Sequence, residues 1–138
     1  MNLEALKSTA AAMVGNGKGI LAADESTPTI SKRFDTINTE STADSRRRYR
    51  EMLFTAEGAN KYIGGVILFD ETLRQSTSAG VPFPKYLEDL GIVPGIKVDS
   101  GAKSLAAFQG ETVTEGLDGL RERLIEYYSL GARFAKWG

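Results

Sequence analysis

Four short apolar runs constrain this chain more than any other feature, because each turns polar or ionisable at or near its C-terminal end. They are Gly19–Ala23 leading into Asp24-Glu25-Ser26, Gly64–Phe69 leading into Asp70-Glu71, Pro94–Gly101 carrying Lys97 and Asp99, and Ala132–Gly138 carrying Lys136. Runs this short, bounded by turn residues, suit buried strands. Segments of helical spacing separate them, so the rhythm is strand, helix, strand, helix, strand, helix, strand. That alternation argues for βα units around a parallel sheet, whose strands are apolar on both faces. Ligand sites of (β/α)₈ barrels and of open α/β sheets both lie at the C-terminal ends of the strands. The reading is an α/β fold, with a barrel preferred.

The intervening segments carry their own start and stop signals. Leu3, Leu6, Ala10 and Met13 fall at helical spacing, and Gly15 supplies a stop. Gly15–Gly19 is glycine-rich but precedes a strand, the wrong order for a phosphate-binding fingerprint, and reads as a turn. Thr27-Pro28 fits an N-cap followed by proline at the first helical position. Ser41-Thr42-Ala43-Asp44 matches an acidic capping box, opening a helix with Tyr49, Met52, Leu53 and Ala56 on its apolar face. Arg46, Arg47, Arg48 and Arg50 spread around that helix, and a solvated face is expected for most of them. Pro84–Leu90 reads as a brief helix ended by Gly91, and Leu117, Leu120, Leu124 and Tyr127 as a helix closed by Gly131.

Composition then narrows the chemistry. The chain has 138 residues, 41% hydrophobic and 25% charged, with a formal net charge of -1, which suits one domain with a core. Near-neutral charge argues against wholesale binding to nucleic acid or an anionic membrane. No apolar run approaches the ~20 residues that span a bilayer, and the N-terminus lacks signal-peptide character. A cytoplasmic location is the default expectation. With neither cysteine nor histidine, the chain has no thiolate nucleophile, no Ser-His-Asp triad and none of the usual zinc ligands. Catalysis within this chain falls to carboxylates, lysines, tyrosines or hydroxyls.

Alternation along a strand puts Ile20, Ala22 and Asp24 on one face, and Leu21 and Ala23 on the other. Lys97 and Asp99 likewise share a face, opposite Ile96 and Val98. Lysine is rarely buried fully, and an unpaired buried charge costs several kcal/mol. One account of these residues is an ion-pair network, Asp24 with Lys136 and Asp99 with Lys97. The other is a site for an anionic carbonyl substrate. Lysines bind phosphate, and a desolvated lysine beside another cation becomes a nucleophilic amine able to form Schiff bases. Asp24 would then orient the cluster or handle a substrate hydroxyl. Ser26 and Thr29, at a helix entrance, suit either capping or phosphate contact.

Taken together and in order, these blocks resemble class I fructose-1,6-bisphosphate aldolase: Gly19-Ile20-Leu21-Ala22-Ala23-Asp24-Glu25-Ser26-Thr27, Gly64–Phe69, Gly95-Ile96-Lys97-Val98-Asp99 and Phe134-Ala135-Lys136-Trp137. Gly110-Glu111-Thr112 and Gly116–Leu120 extend the likeness over essentially the whole chain. The resemblance implies a TIM barrel, a homotetramer and metal-free, cofactor-free cleavage of a phosphorylated sugar, fructose 1,6-bisphosphate, into two triose phosphates. Asp24 resembles the acid that assists proton transfer and C–C cleavage. Lys97 resembles a phosphate- and hydroxyl-contacting lysine, and Lys136 the one that promotes carbinolamine chemistry. Ser26, Thr29 (where a serine is common) and Arg33 fall where the family contacts substrate phosphate, Arg46 at a position sometimes assigned to substrate binding. Asp99 resembles a residue that supports Lys97.

The departures shape the expectation as much. A (β/α)₈ barrel needs ~250 residues, so residues 1–138 are expected to form one partial domain, about four strands or the N-terminal half of a barrel, from a truncated reading frame, a partial gene model or a chosen expression boundary. In the family, the Schiff-base lysine and a catalytic glutamate lie on later strands, and arginine normally stands where Gly138 does. The 138 residues alone are therefore expected to be inactive. The alternative function is a catalytically incompetent fragment that binds phosphate or associates with other subunits.

Overall fold

The computed structural model describes all residues, Met1–Gly138. Helix α1 (Leu3–Val14) leads into strand β1 (Gly19–Ala23), followed by α2 (Thr27–Asp35), α3 (Ala43–Phe54) and the single turn α4 (Ala59–Tyr62). Strand β2 (Ile63–Leu68), the short helix α5 (Asp70–Leu73), α6 (Phe83–Asp89) and β3 (Val93–Lys97) come next. A hairpin of β4 (Gly101–Ser104) and β5 (Thr112–Glu115) precedes α7 (Leu120–Ser129) and β6 (Phe134–Lys136). The main sheet is four-stranded, in the order β1-β2-β3-β6, with every neighbouring pair parallel. The α/β reading and the parallel sheet both hold. No helix is long and apolar enough to cross a membrane.

Register sorts the strands into two faces. Ala23, Leu68 and Ile96 align across β1, β2 and β3, and all three are buried beneath Phe54, Leu73, Phe83 and Leu87 from the helices. This is the core. On the opposite face Ala22, Ile67, Gly95 and Phe134 align as one layer across the four strands. A Cβ on Gly95 would strike the Phe134 ring, so only glycine lets the ring lie there. Helix α1 packs along the same sheet at Gly64 and Gly65, where an added Cβ would meet Met13. Lys97 aligns with Lys136 in the next layer along.

Several local expectations shift. The cap of α2 is Ser26 rather than Thr27, with Pro28 at the second helical position. The capping box of α3 uses Thr42 and Ser45, one residue later than expected, because Ser45 Oγ both accepts from the Thr42 amide and donates to the Glu40 carbonyl. Helix α7 starts at Leu120, behind Gly119 with φ 66°, which leaves Leu117 outside it and exposed. The β4–β5 hairpin lies beyond the four strands and five helices expected from the sequence. The inward face of α3 is also different. Its buried residues are Ser45, Arg50 and Phe54, whereas Met52 and Ala56 are exposed.

Candidate active site

At the C-terminal end of the sheet, four charged side chains lie in two ion pairs. Asp24 follows β1 directly and is two residues beyond the inward-facing Ala22, so it enters the concave side. Its Oδ2 accepts from Lys136 Nζ at 2.9 Å. Lys97 Nζ donates to Asp99 Oδ1 at 2.6 Å and to the Asp99 carbonyl at 2.9 Å. Because Lys97 and Lys136 are register partners, their backbones are one strand spacing apart, about 4.8 Å. The structure thus brings Asp24, Lys97, Lys136 and Asp99 to one mouth, with both ion pairs of the first account formed. Ile96 and Val98 turn away and are buried.

Asp99 is the hub of this arrangement. Oδ1 also accepts from the Gly101 amide at 3.0 Å, and Oδ2 accepts from the Gly138 amide at 2.8 Å. One carboxylate therefore ties the end of β3, the start of the hairpin and the segment after β6. Burial alone would raise its pKa. The bonds from Lys97, Gly101 and Gly138 outweigh burial and hold the carboxyl below the ordinary range.

The other candidate residues have different partners. Ser26 and Thr29 hydroxyls lie 3.1 Å apart at the start of α2. Neither makes the N-cap bond, since no side chain caps this helix. Arg33 is largely exposed and donates to Glu25 at 2.8 Å. Arg46 is committed elsewhere: Nε and Nη2 donate to the two oxygens of Glu71 at 2.8 and 2.9 Å, and Nη1 donates to Ser41 at 2.9 Å. The bonds to Glu71 raise Arg46 above the ordinary arginine value and hold Glu71 below that of a carboxylate.

The arginine run is not mainly a solvated face. Arg46, Arg47 and Arg50 turn toward protein and Arg48 alone is largely exposed, because each of the first three reaches an oxygen held by another part of the fold. Arg47 joins Glu51, which also accepts from Ser78. Arg50 is fully buried and donates from Nη2 to the Glu25 carbonyl at 2.7 Å. Desolvation lowers its pKa, with the Glu25 and Glu71 carboxylates opposing. The sequence patterns assign no site role to Glu25, Glu71 or Arg50. On α3, Arg50 and Arg46 lie four and eight residues before the buried Phe54, which is the periodic signal that puts Arg50 on the inward face.

The apolar hollows beside α7 and α1 are lined by residues such as Leu124, Tyr128, Leu6 and Met13, and by none of Asp24, Lys97 or Lys136. The charged cluster instead occupies the open concave face, where Ile20 and Lys136 are partly solvated. Amines, carboxylates and hydroxyls side by side can bind phosphate, polarise a carbonyl and move protons between oxygens.

Comparison with known proteins agrees with this geometry. A probable fructose-bisphosphate aldolase class 1 from Xylella fastidiosa (strain 9a5c) is 64% identical over 137 residues, 99% of this chain and 41% of that protein. A cytoplasmic isozyme of fructose-bisphosphate aldolase from Cicer arietinum is 59% identical over 128 residues, 92% of this chain and 36% of its own length. The structure superposes with a TM-score of 0.93 on a Plasmodium falciparum fructose-bisphosphate aldolase crystallised with TRAP and an inhibitor. That protein is 54% identical, and the match covers 97% of this chain and 39% of the other. The chain thus spans about two fifths of the length of such relatives, and its sheet corresponds to the N-terminal part of their barrel. The family model of class-I fructose-bisphosphate aldolases matches residues 5–138, and the chain belongs to that family.

Proposed function

We propose that this chain supplies the first half of an aldolase active site, for reversible cleavage of fructose 1,6-bisphosphate to dihydroxyacetone phosphate and glyceraldehyde 3-phosphate. The observation that carries the reading is the 2.9 Å contact between Asp24 and Lys136 over the same mouth that holds Lys97. Schiff-base formation requires an amine to add to the ketone and the carbinolamine hydroxyl to leave as water. Lys136 is the cation beside that hydroxyl, and Asp24 accepts the substrate hydroxyl proton as the C–C bond breaks. Lys97, held by Asp99, contacts phosphate and hydroxyl oxygens. Ser26, Thr29 and Arg33 form the phosphate rim, with Arg46 behind it. Later barrel strands contribute the Schiff-base lysine and the catalytic glutamate, and the completed protein assembles as a homotetramer.

A polypeptide of residues 1–138 alone is accordingly inactive. Fusing it to the later strands of the Xylella fastidiosa relative tests both halves of the proposal. The fusion cleaves fructose 1,6-bisphosphate, whereas the 138 residues alone give no adduct when dihydroxyacetone phosphate is trapped with borohydride. A stable adduct on Lys97 or Lys136 refutes the inactivity. A folded fusion that binds phosphate but never cleaves the sugar favours a binding fragment.

A further inference from the structure

We infer that Arg50 is a positioning residue for the mouth of β1, holding Asp24 and Ser26 in place through the Glu25 carbonyl; this rests on the aldolase reading of that mouth. Arg50 is the largest fully buried side chain in the molecule. Its Nε and Nη1 meet no acceptor, and Glu25 Oε1, 3.7 Å from Nη2, is buried and unpartnered too. Leaving three polar atoms unpaired in one place is costly, and apolar residues of similar volume in place of a buried ion pair are often neutral or stabilising. Stability therefore gives no reason for an arginine here.

Its one short bond gives a reason of another kind. The 2.7 Å contact fixes the carbonyl oxygen of the residue between Asp24 and Ser26. A peptide unit is planar, so fixing that oxygen also fixes the Ser26 nitrogen and the Glu25 Cα, one residue from Asp24. Asp24 bonds to no side chain but Lys136, so its placement depends on its backbone. Arg46, one turn earlier on α3, holds the neighbouring mouth through Glu71, which heads the segment after β2. Two arginines spaced i, i+4 thus anchor two strand mouths to one helix.

The test uses the active fusion described above. Arg50→Met leaves Glu25 facing an apolar chain, so the paired variant Glu25→Gln/Arg50→Met removes both charges in case the single variant misfolds, and it is compared with Glu25→Gln alone, which carries the loss of the Arg33 bond. We expect the paired variant to match the parent in urea midpoint while kcat falls about 10²-fold, the loss typical of a small misplacement of a reacting group. Arg50→Lys, which retains a cation and a donor, recovers part of that loss. Thr72→Val, which removes a buried hydroxyl without a partner on α5, leaves kcat unchanged. A paired variant with parental kcat overturns the inference, as does a loss of kcat matched by the unfolded fraction. An inactive parent fusion refutes the function instead, and the inference is then read in a crystal structure of the paired variant. Asp24 and Lys136 beyond about 4 Å support it, and an unchanged contact overturns it.

Discussion

Asp24 and Lys136 stand on the two outer strands of a four-stranded sheet, 112 residues apart in sequence, yet their charged ends meet at 2.9 Å. Three spacings of about 4.8 Å would put the outer strands of a flat sheet roughly 14 Å apart. The contact requires the sheet to curl, so that side chains from its two edges lean together over the strands between them. Barrel curvature is already present in four strands, and the charged cluster is its product.

On the proposed function, Asp24 is the position at which a substitution costs most activity. In the active fusion, Asp24→Asn is expected to lower kcat by about 10²–10⁴-fold, the range of a lost acid–base group. The stability cost stays near 1 kcal/mol or below, because Lys136 is partly solvated. Steady-state kinetics beside urea unfolding separates the two effects.

Acid should weaken the fold through carboxyls at the strand mouths. The Arg74 hydrogen bond chiefly lowers Asp70, and the Arg46 hydrogen bond chiefly lowers Glu71. At Asp99, burial acts upward but three hydrogen bonds prevail downward. Each group binds fewer protons in the native state than in the unfolded chain once pH falls below the ordinary values of 3.8 and 4.5. Their stabilisation is complete above about pH 5 and is lost as pH drops through the lower native values. Urea midpoints measured from neutrality to about pH 3 should stay flat and then fall, and Glu71→Gln should flatten the fall.

Gly64 is expected to tolerate no side chain. A Cβ there would strike the Met13 backbone carbonyl, which can yield only if α1 shifts. Gly64→Ala should cost about 1–3 kcal/mol, whereas Gly19→Ala, whose Cβ meets nothing within 4 Å, should cost below about 0.5 kcal/mol. Urea titration of both variants checks the contrast.

Tyr127 links the core to the mouth of β2, its hydroxyl donating to Asp70 Oδ2 at 2.8 Å. Tyr127→Phe should cost about 1 kcal/mol. The loss is limited because Arg74 still holds Asp70, which is half exposed. In Asp70→Asn the substitution Tyr127→Phe should cost less, so a double-mutant cycle isolates the bond.

The sequence disclosed what periodicity and residue chemistry can disclose. Short apolar runs located β1, β2, β3 and β6, and period-two alternation put Lys97 with Asp99 and turned Ile96 and Val98 to the core. The surprise of lysines on strands pointed to the two ion pairs that the fold forms. Arg50 stayed hidden because a charged residue is normally assigned to solvent, and its partner is a main-chain oxygen 25 residues away, which leaves no mark in composition. The β4–β5 hairpin escaped because its strands are short, exposed and polar. Arg123, which donates to the carbonyls of Val98 and Gly116, joins the chain on either side of that hairpin. Ser45 displaced Asp44 in the capping box because serine both donates and accepts there, and a carboxylate only accepts.

The strand order β1-β2-β3-β6 has a consequence for biosynthesis. Each strand pairs with the one made just before it in the main sheet, so the sheet can grow in step with translation, one parallel neighbour at a time. The bond from Lys136 to Asp24 breaks that sequence by joining the newest strand to the oldest. It is the longest-range of the side-chain hydrogen bonds, and loop closure makes such contacts late and slow to form. A nascent chain therefore carries its core long before Lys136 can reach Asp24, whereas Lys97 finds Asp99 two residues away as soon as both are made.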